Sequence, residues 1–131
     1  MNGRLDASEL LKIARETLLQ ALLPSLPKEL RYETFMVANA MAIAQREYEQ
    51  GAAAERQELL ELRALGDQQA PVSAESTDAA LESARRQLAE AIRAGHYDAA
   101  DARQEALLSV LERITRAKLS ISNPKVLGNA L

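Results

Sequence analysis

LRYETFMVANAMAIAQREYEQ, Leu30–Gln50, is the stretch on which the fold turns. Tyr32, Phe35, Met36, Asn39, Ile43 and Arg46 recur at spacings of three and four, the period of one helix face. Val37, Ala38, Ala40, Met41, Ala42 and Ala44 leave almost no polar surface on the other sides, so the spacing predicts a central helix whose middle is enclosed by neighbours all round. Asn39 stands inside that apolar stripe. A buried amide without a partner costs about 1 to 3 kcal/mol. Two readings follow: Asn39 fixes register against a facing helix, with Thr17 one intramolecular candidate, or it lies on a surface shared with another protein.

The flanking sequence extends the helical reading in both directions. Asp6 is placed to cap a first helix, with Glu9 completing a capping box and Leu5 and Leu10 spaced as a hydrophobic staple. Leu10, Ile13, Ala14, Thr17, Leu18 and Ala21 form its expected inward stripe, widened by Leu11, Leu19, Leu22 and Leu23, until Pro24 ends it. Pro27 suits the first turn of the second, central helix, which is expected to run to about Gln50. Ala52–Leu65 then forms either a third helix or an extension of the second, Gly51 deciding between them. Residues 66–76, GDQQAPVSAES, read as a flexible internal linker. Ser76 or Thr77 caps a fourth helix with the stripe Leu81, Ala84, Leu88, Ala91 and Ile92, and Gly95 is placed to stop it in a left-handed conformation. The short turn Gly95-His96-Tyr97 predicts an antiparallel hairpin with a fifth helix capped by Asp98. That helix turns Leu107, Val110, Leu111, Ile114, Ala117 and Ile121 inward, leaves Leu108 and Leu119 toward the other side, and closes at Asn123-Pro124 before a tail KVLGNAL.

Composition agrees with this pattern. A chain of 131 residues has room for one core, and the expectation is one all-α domain over residues 1–131, a bundle of four to five helices with a central apolar helix and a C-terminal hairpin. Leu, Ala, Glu, Arg and Gln dominate, and aromatics make up 3%. The chain lacks Cys, its N-terminus has no signal-peptide pattern, and its longest nearly uncharged stretch falls short of the roughly 20 residues of a membrane span. A cytoplasmic location off the membrane is the default expectation. The net charge of -3 and the lack of interleaved basic and aromatic residues argue against nucleic acid. Charge is nonetheless uneven: residues 51–82 are acid-rich, whereas 110–125 hold Arg113, Arg116, Lys118 and Lys125 against Glu112. The field at a helix C-terminus is the first explanation of that bias, an anionic partner the second.

Chemistry speaks mainly through omission. His96 is the one imidazole, too few for a helical-bundle metal site or a nucleophilic triad, and neither a Gly-x-Ser-x-Gly elbow nor a glycine-rich phosphate loop occurs. His96 reads as an exposed residue at a helix end. Glu33, Glu47 and Glu49 lie beside Arg31 and Arg46 and read as a salt-bridged helix surface rather than an acid-base pair. The expectation is a protein without catalytic residues, metal or cofactor of its own. The first and fifth helices carry more leucine than a small bundle can bury, and large apolar patches mark partner sites. The partner is a second copy or a larger subunit.

The run ELLKIARETLLQALLPSLPKELRYETFMVANAMAIAQRE, with ARQEALLSVLERITRAKLSISNPKVL near the C-terminus, resembles a family of small bacterial helical proteins. Its marks here are LPKELRYE, MVANAM and SNPKVL, none of them a catalytic motif. Members are typically encoded beside an aminoglycoside-phosphotransferase-like kinase and an acyl-CoA dehydrogenase-like enzyme, and the likeness extends to the small accessory subunits of kinases that act on 4-hydroxyacyl-CoA in levulinate and 4-hydroxy acid catabolism. The resemblance implies a non-catalytic subunit that stabilises or completes such a kinase, which would itself hold ATP and magnesium. On that implication the contact residues are Tyr32, Asn39 and Arg46 on the central helix, with Arg113, Arg116 and Lys118 facing an acidic kinase surface or the CoA phosphates. The alternatives are a homo-oligomeric helical scaffold and a small-molecule-binding bundle with a closed pocket around Asn39, Arg46 and Glu47.

Overall fold

The computed structural model describes residues 6–66 and 76–128. The all-α expectation holds: these residues form helices and turns, with no strand among them. They comprise α1 (Ala7–Thr17), α2 (Arg31–Leu65), α3 (Thr77–Arg93), α4 (Ala102–Ser122) and α5 (Pro124–Gly128). Leu5 and the expected linker, for its residues 67–75, lie outside the described residues. Contacts divide the chain into two compact units, one built from residues up to Ala52 together with those from Ile121 onward, the other Ala53–Ser120.

In the first unit, Asp6 caps α1 as its position implies, its carboxylate accepting from the Ser8 amide at 3.0 Å. Pro24 does not end the helix abruptly. Lacking an amide proton and crowding the carbonyl four residues back, it is preceded by a widened π turn over Leu18–Leu22, in which the Leu23 amide reaches the Leu18 carbonyl. A 3-10 turn, Leu23–Ser25, completes the descent, and a second, Lys28–Leu30, leads from Pro27 into α2. α1 and α2 run antiparallel: Ser8 at the start of α1 bonds Glu49, while Arg15 Nε near its end donates to the Ala38 carbonyl at 3.2 Å.

These polar anchors choose the face that α1 presents, and it is not the expected one. Ala7, Ser8, Leu11, Arg15 and Leu18 are half-buried, whereas Leu10, Ile13, Ala14, Thr17 and Ala21 are exposed. Over residues 31–50 of α2 the buried positions are Thr34 and Ala38, small side chains that let a neighbour approach closely, and Thr34 donates its hydroxyl to the Leu30 carbonyl at 2.6 Å.

α2 passes through Gly51 without a break and absorbs the third segment as its own C-terminal half. One glycine costs a helix about 1 kcal/mol, which a 35-residue helix anchored on both sides of it can carry.

In the second unit, Leu62 of α2, Leu81 of α3 and Val110 of α4 form the core, with Leu59, Leu65, Ala84, Leu88 and Ile114 packed against it. Ser76 caps α3 through the Ala79 amide. At its other end Gly95 adopts φ +83°, and the Gly95 and His96 amides return to the Ile92 and Ala91 carbonyls, closing a Schellman motif where the sequence calls for a left-handed stop. The hairpin of α3 and α4 is therefore present, but its second cap is Asp101 rather than Asp98. The Asp98 amide is drawn into the turn by the Gly95 carbonyl, and only at Asp101 does a free carboxylate meet the Arg103 and Gln104 amides, at 3.0 and 3.3 Å. On α4 Leu107 is buried and Leu108 exposed, as expected, but Leu111, expected inward, is exposed as well; Ile121, buried as expected, belongs to the first unit. The expected trailing tail is helical for one more turn, α5, started by Pro124; residues 129–131 lie outside the described ones.

Candidate functional site

The face of α2 that carries Asn39 is open to solvent. Tyr32 is 71% exposed, Phe35 54% and Met36 55%, with Val37 beside them and Asn39 itself exposed. The expectation that neighbours enclose the middle of this helix is thus corrected: the buried side is that of Thr34 and Ala38, where Arg15 of α1 bonds the Ala38 carbonyl, and the aromatic stripe, roughly opposite on the helix, is bare. Asn39 meets water, so neither a register role nor a bond to Thr17 is needed to satisfy its amide. Asn39 and Glu47 are exposed and Arg46 is half-buried, so the described residues do not enclose the three in a closed pocket. With the open stripe of α1, Leu10 and Ile13, two amphipathic helices of the same unit keep large apolar side chains outside.

The six residues expected at a partner surface fall into different roles. Tyr32 and Asn39 stand on the open face. Arg46, on the same stripe, is half-buried, and its Nε donates to the Ile121 carbonyl at 2.7 Å, binding α2 to the last turn of α4. That carbonyl end attracts a cation for the reason given by the helix field.

Arg113 and Arg116 belong to the other unit and already have carboxylates: Arg113 pairs with Glu61 of α2 at 2.7 Å, and Arg116 with Glu112 one turn away at 3.2 Å. Lys118 lies close enough to Glu58 to help hold its carboxyl below the ordinary range, although the main cause is the hydrogen bonds from Arg85, with burial opposing. Arg85 meets Glu58 through two bonds of 2.8 Å, a fork joining α3 to α2. The basic stretch of α4 thus serves in part to tie this unit together. Glu49, read as part of a salt-bridged surface, instead accepts from Ser8 and Gln45, which lower its pKa.

One cavity escaped the sequence reading. About 230 Å³ in volume, it lies in the second unit where the end of α2, the face of α3 and the turn after Gly95 meet. Leu62, Leu65 and Leu88 supply apolar wall, and Arg63, His96 and Arg103 supply charge or potential charge. Among the described residues that line it there is no Asp or Glu. With Asp101 rather than Asp98 as the cap, Arg103 falls in the first turn of α4, where the helix field disfavours a cation, a signal that the expected cap at Asp98 concealed.

Among the described residues no group of three or more His, Cys, Asp or Glu is placed to hold a metal ion, and no helix is long and apolar enough to cross a membrane. No curated protein and no solved structure matches the chain. Residues 24–126, from the proline that widens the end of the first helix to the last short helix, match a family described as a domain of unknown function, DUF6285, and the chain belongs to that family.

Proposed function

We propose that the chain is a non-catalytic accessory subunit that docks through the open apolar faces of its first unit onto a larger protein. The observation that carries this reading is the exposure of Tyr32, Phe35 and Met36 on one face of α2, in the same unit as exposed Leu10 and Ile13 on α1. Each such side chain would contribute about 1 kcal/mol or more if the exposed half of its apolar surface were withdrawn from water. Aromatic residues and Met are also the types enriched where proteins meet. The resemblance of the sequence names the partner: an aminoglycoside-phosphotransferase-like kinase acting on 4-hydroxyacyl-CoA, with ATP and magnesium held by the kinase and no catalytic group supplied by this chain.

Co-expression with such a kinase, followed by size-exclusion chromatography and a kinase assay, tests the proposal. Co-elution is expected, and the triple variant Tyr32→Ser, Phe35→Ser, Met36→Ser is expected to abolish it while remaining helical. A kinase that neither associates with the chain nor gains activity or solubility from it would refute the reading. The same open faces also favour a homo-oligomeric scaffold, distinguished by light scattering on the isolated chain: a stable dimer that ignores the kinase would establish it instead.

A further inference from the structure

We infer that the cavity of the Ala53–Ser120 unit is a binding site for a small organic anion, specifically a short aliphatic carboxylate. This goes beyond the docking proposal and does not rest on it, since every lining residue belongs to the other unit. Three features lead there. The volume, about 230 Å³, sits just below the roughly 300 Å³ at which drug-sized pockets begin, so the ligand is a small metabolite of roughly six to ten heavy atoms rather than a nucleotide. Its walls are divided: Leu62, Leu65 and Leu88 offer an aliphatic side, and Arg63 and Arg103 stand among the polar lining, with no carboxylate among the described lining residues. Among the described residues neither of these guanidinium groups has an ion pair, a state they share with Arg56 and Arg93 of the same unit, but these two line the cavity.

Arg103 is the more telling of the two. Arg63 lies in the last turn of α2, where the helix field favours a cation and no ligand is needed to explain it. Arg103 lies in the first turn of α4, where the same field opposes it, and capping is already done by Asp101 through the Arg103 and Gln104 amides. A guanidinium placed against its helix field, lining one cavity with a second one and an apolar wall, is suited to a carboxylate that it can grip with two parallel bonds. The aliphatic body of the ligand would then lie against the leucines.

The full chain, titrated calorimetrically with hexanoate, hexanol, acetate and inorganic phosphate, decides the matter. Hexanoate is expected to bind one per chain and at least about tenfold more tightly than each of the other three, because it alone satisfies both walls. Arg103→Gln is expected to weaken hexanoate about tenfold and to leave hexanol unchanged. The change is on a solvent-exposed side chain, and circular dichroism on the variant guards against loss of fold; Arg86→Gln, which removes an exposed arginine of α3 outside the cavity lining, serves as the neutral control. The inference is overturned if hexanoate shows no saturable binding, if hexanol or phosphate binds as well as hexanoate, or if folded Arg103→Gln binds hexanoate like the parent.

Discussion

Removing Arg85 should cost more than removing its partner Glu58, and the reason is where each side chain sits. The Glu58 side chain is 9% exposed and that of Arg85 48%. In Arg85→Met the buried carboxylate keeps its charge at neutral pH but loses both 2.8 Å bonds. The cost of stranding a fully buried charge, about 3 to 5 kcal/mol, is reduced here by the exposed approach and by Lys118, leaving about 2 kcal/mol. In Glu58→Gln the half-exposed guanidinium returns to water and retains an amide oxygen to bond, so the loss should be about 1 kcal/mol or less.

Acid should then distinguish the two. The pKa of Glu58 is lowered in the fold, chiefly by the Arg85 hydrogen bonds, so the carboxylate stabilises the protein above its unfolded pKa of about 4.3, and that contribution is lost as pH falls through the lower folded value. In Arg85→Met burial dominates and raises the pKa, so protonation relieves the stranded charge. The stability gap between parent and Arg85→Met should therefore narrow as pH falls from neutral to below about 4.3. Urea unfolding of the whole chain, followed by circular dichroism, measures it. Equal costs for the two variants, or a gap that acid leaves unchanged, would refute the assignment of a buried carboxylate held by a half-exposed arginine.

Other perturbations read other parts of the chain. Gly51→Ala should stabilise by about 0.5 to 1 kcal/mol, since an added methyl first meets the end of the flexible Glu47 side chain, which can swing aside; a fall in urea midpoint would contradict this. Gly95→Ala should lose about 1 kcal/mol because its φ of +83° strains any L side chain, and the same titration reads it. Asp101→Ala should cost about 1 kcal/mol as a lost cap while Asp98→Ala costs less, an order that thermal unfolding of the two variants checks directly.

Periodicity and end signals carried the fold a long way. Asp6, Ser76 and Gly95 act at helix ends through local backbone geometry, which a few neighbouring residues determine, and each does what its position implies. Asp98 misled because two carboxylates three residues apart both suit a cap, and only the path of the turn, drawn by the Gly95 carbonyl, selects the second. Gly51 was undecidable locally: one glycine's penalty is smaller than the packing on either side of it. The ion pairs of Arg85 with Glu58 and of Arg113 with Glu61 span 27 and 52 residues of sequence, and no local pattern announces them.

Which face a helix buries was the least legible property, and it bears most on function. A stripe at spacings of three and four identifies an apolar side but not the neighbour that covers it. On α1 the choice was made by Ser8 and Arg15, whose bonds to Glu49 and to the Ala38 carbonyl rotate Leu10 and Ile13 outward. Whereas the C-terminal half of α2 buries Leu62 in the ordinary way, its N-terminal half buries Thr34 and Ala38 while Tyr32, Phe35 and Met36 stand in water. This inverts the ordinary ordering, in which the largest apolar side chains go inside first. A helix that packs its small residues against its own chain and keeps its aromatic ones free is spending its close contacts on fold and holding its greatest potential burial in reserve. That division of one helix into two faces, one buried and one open, is the physical ground for expecting another polypeptide over Phe35.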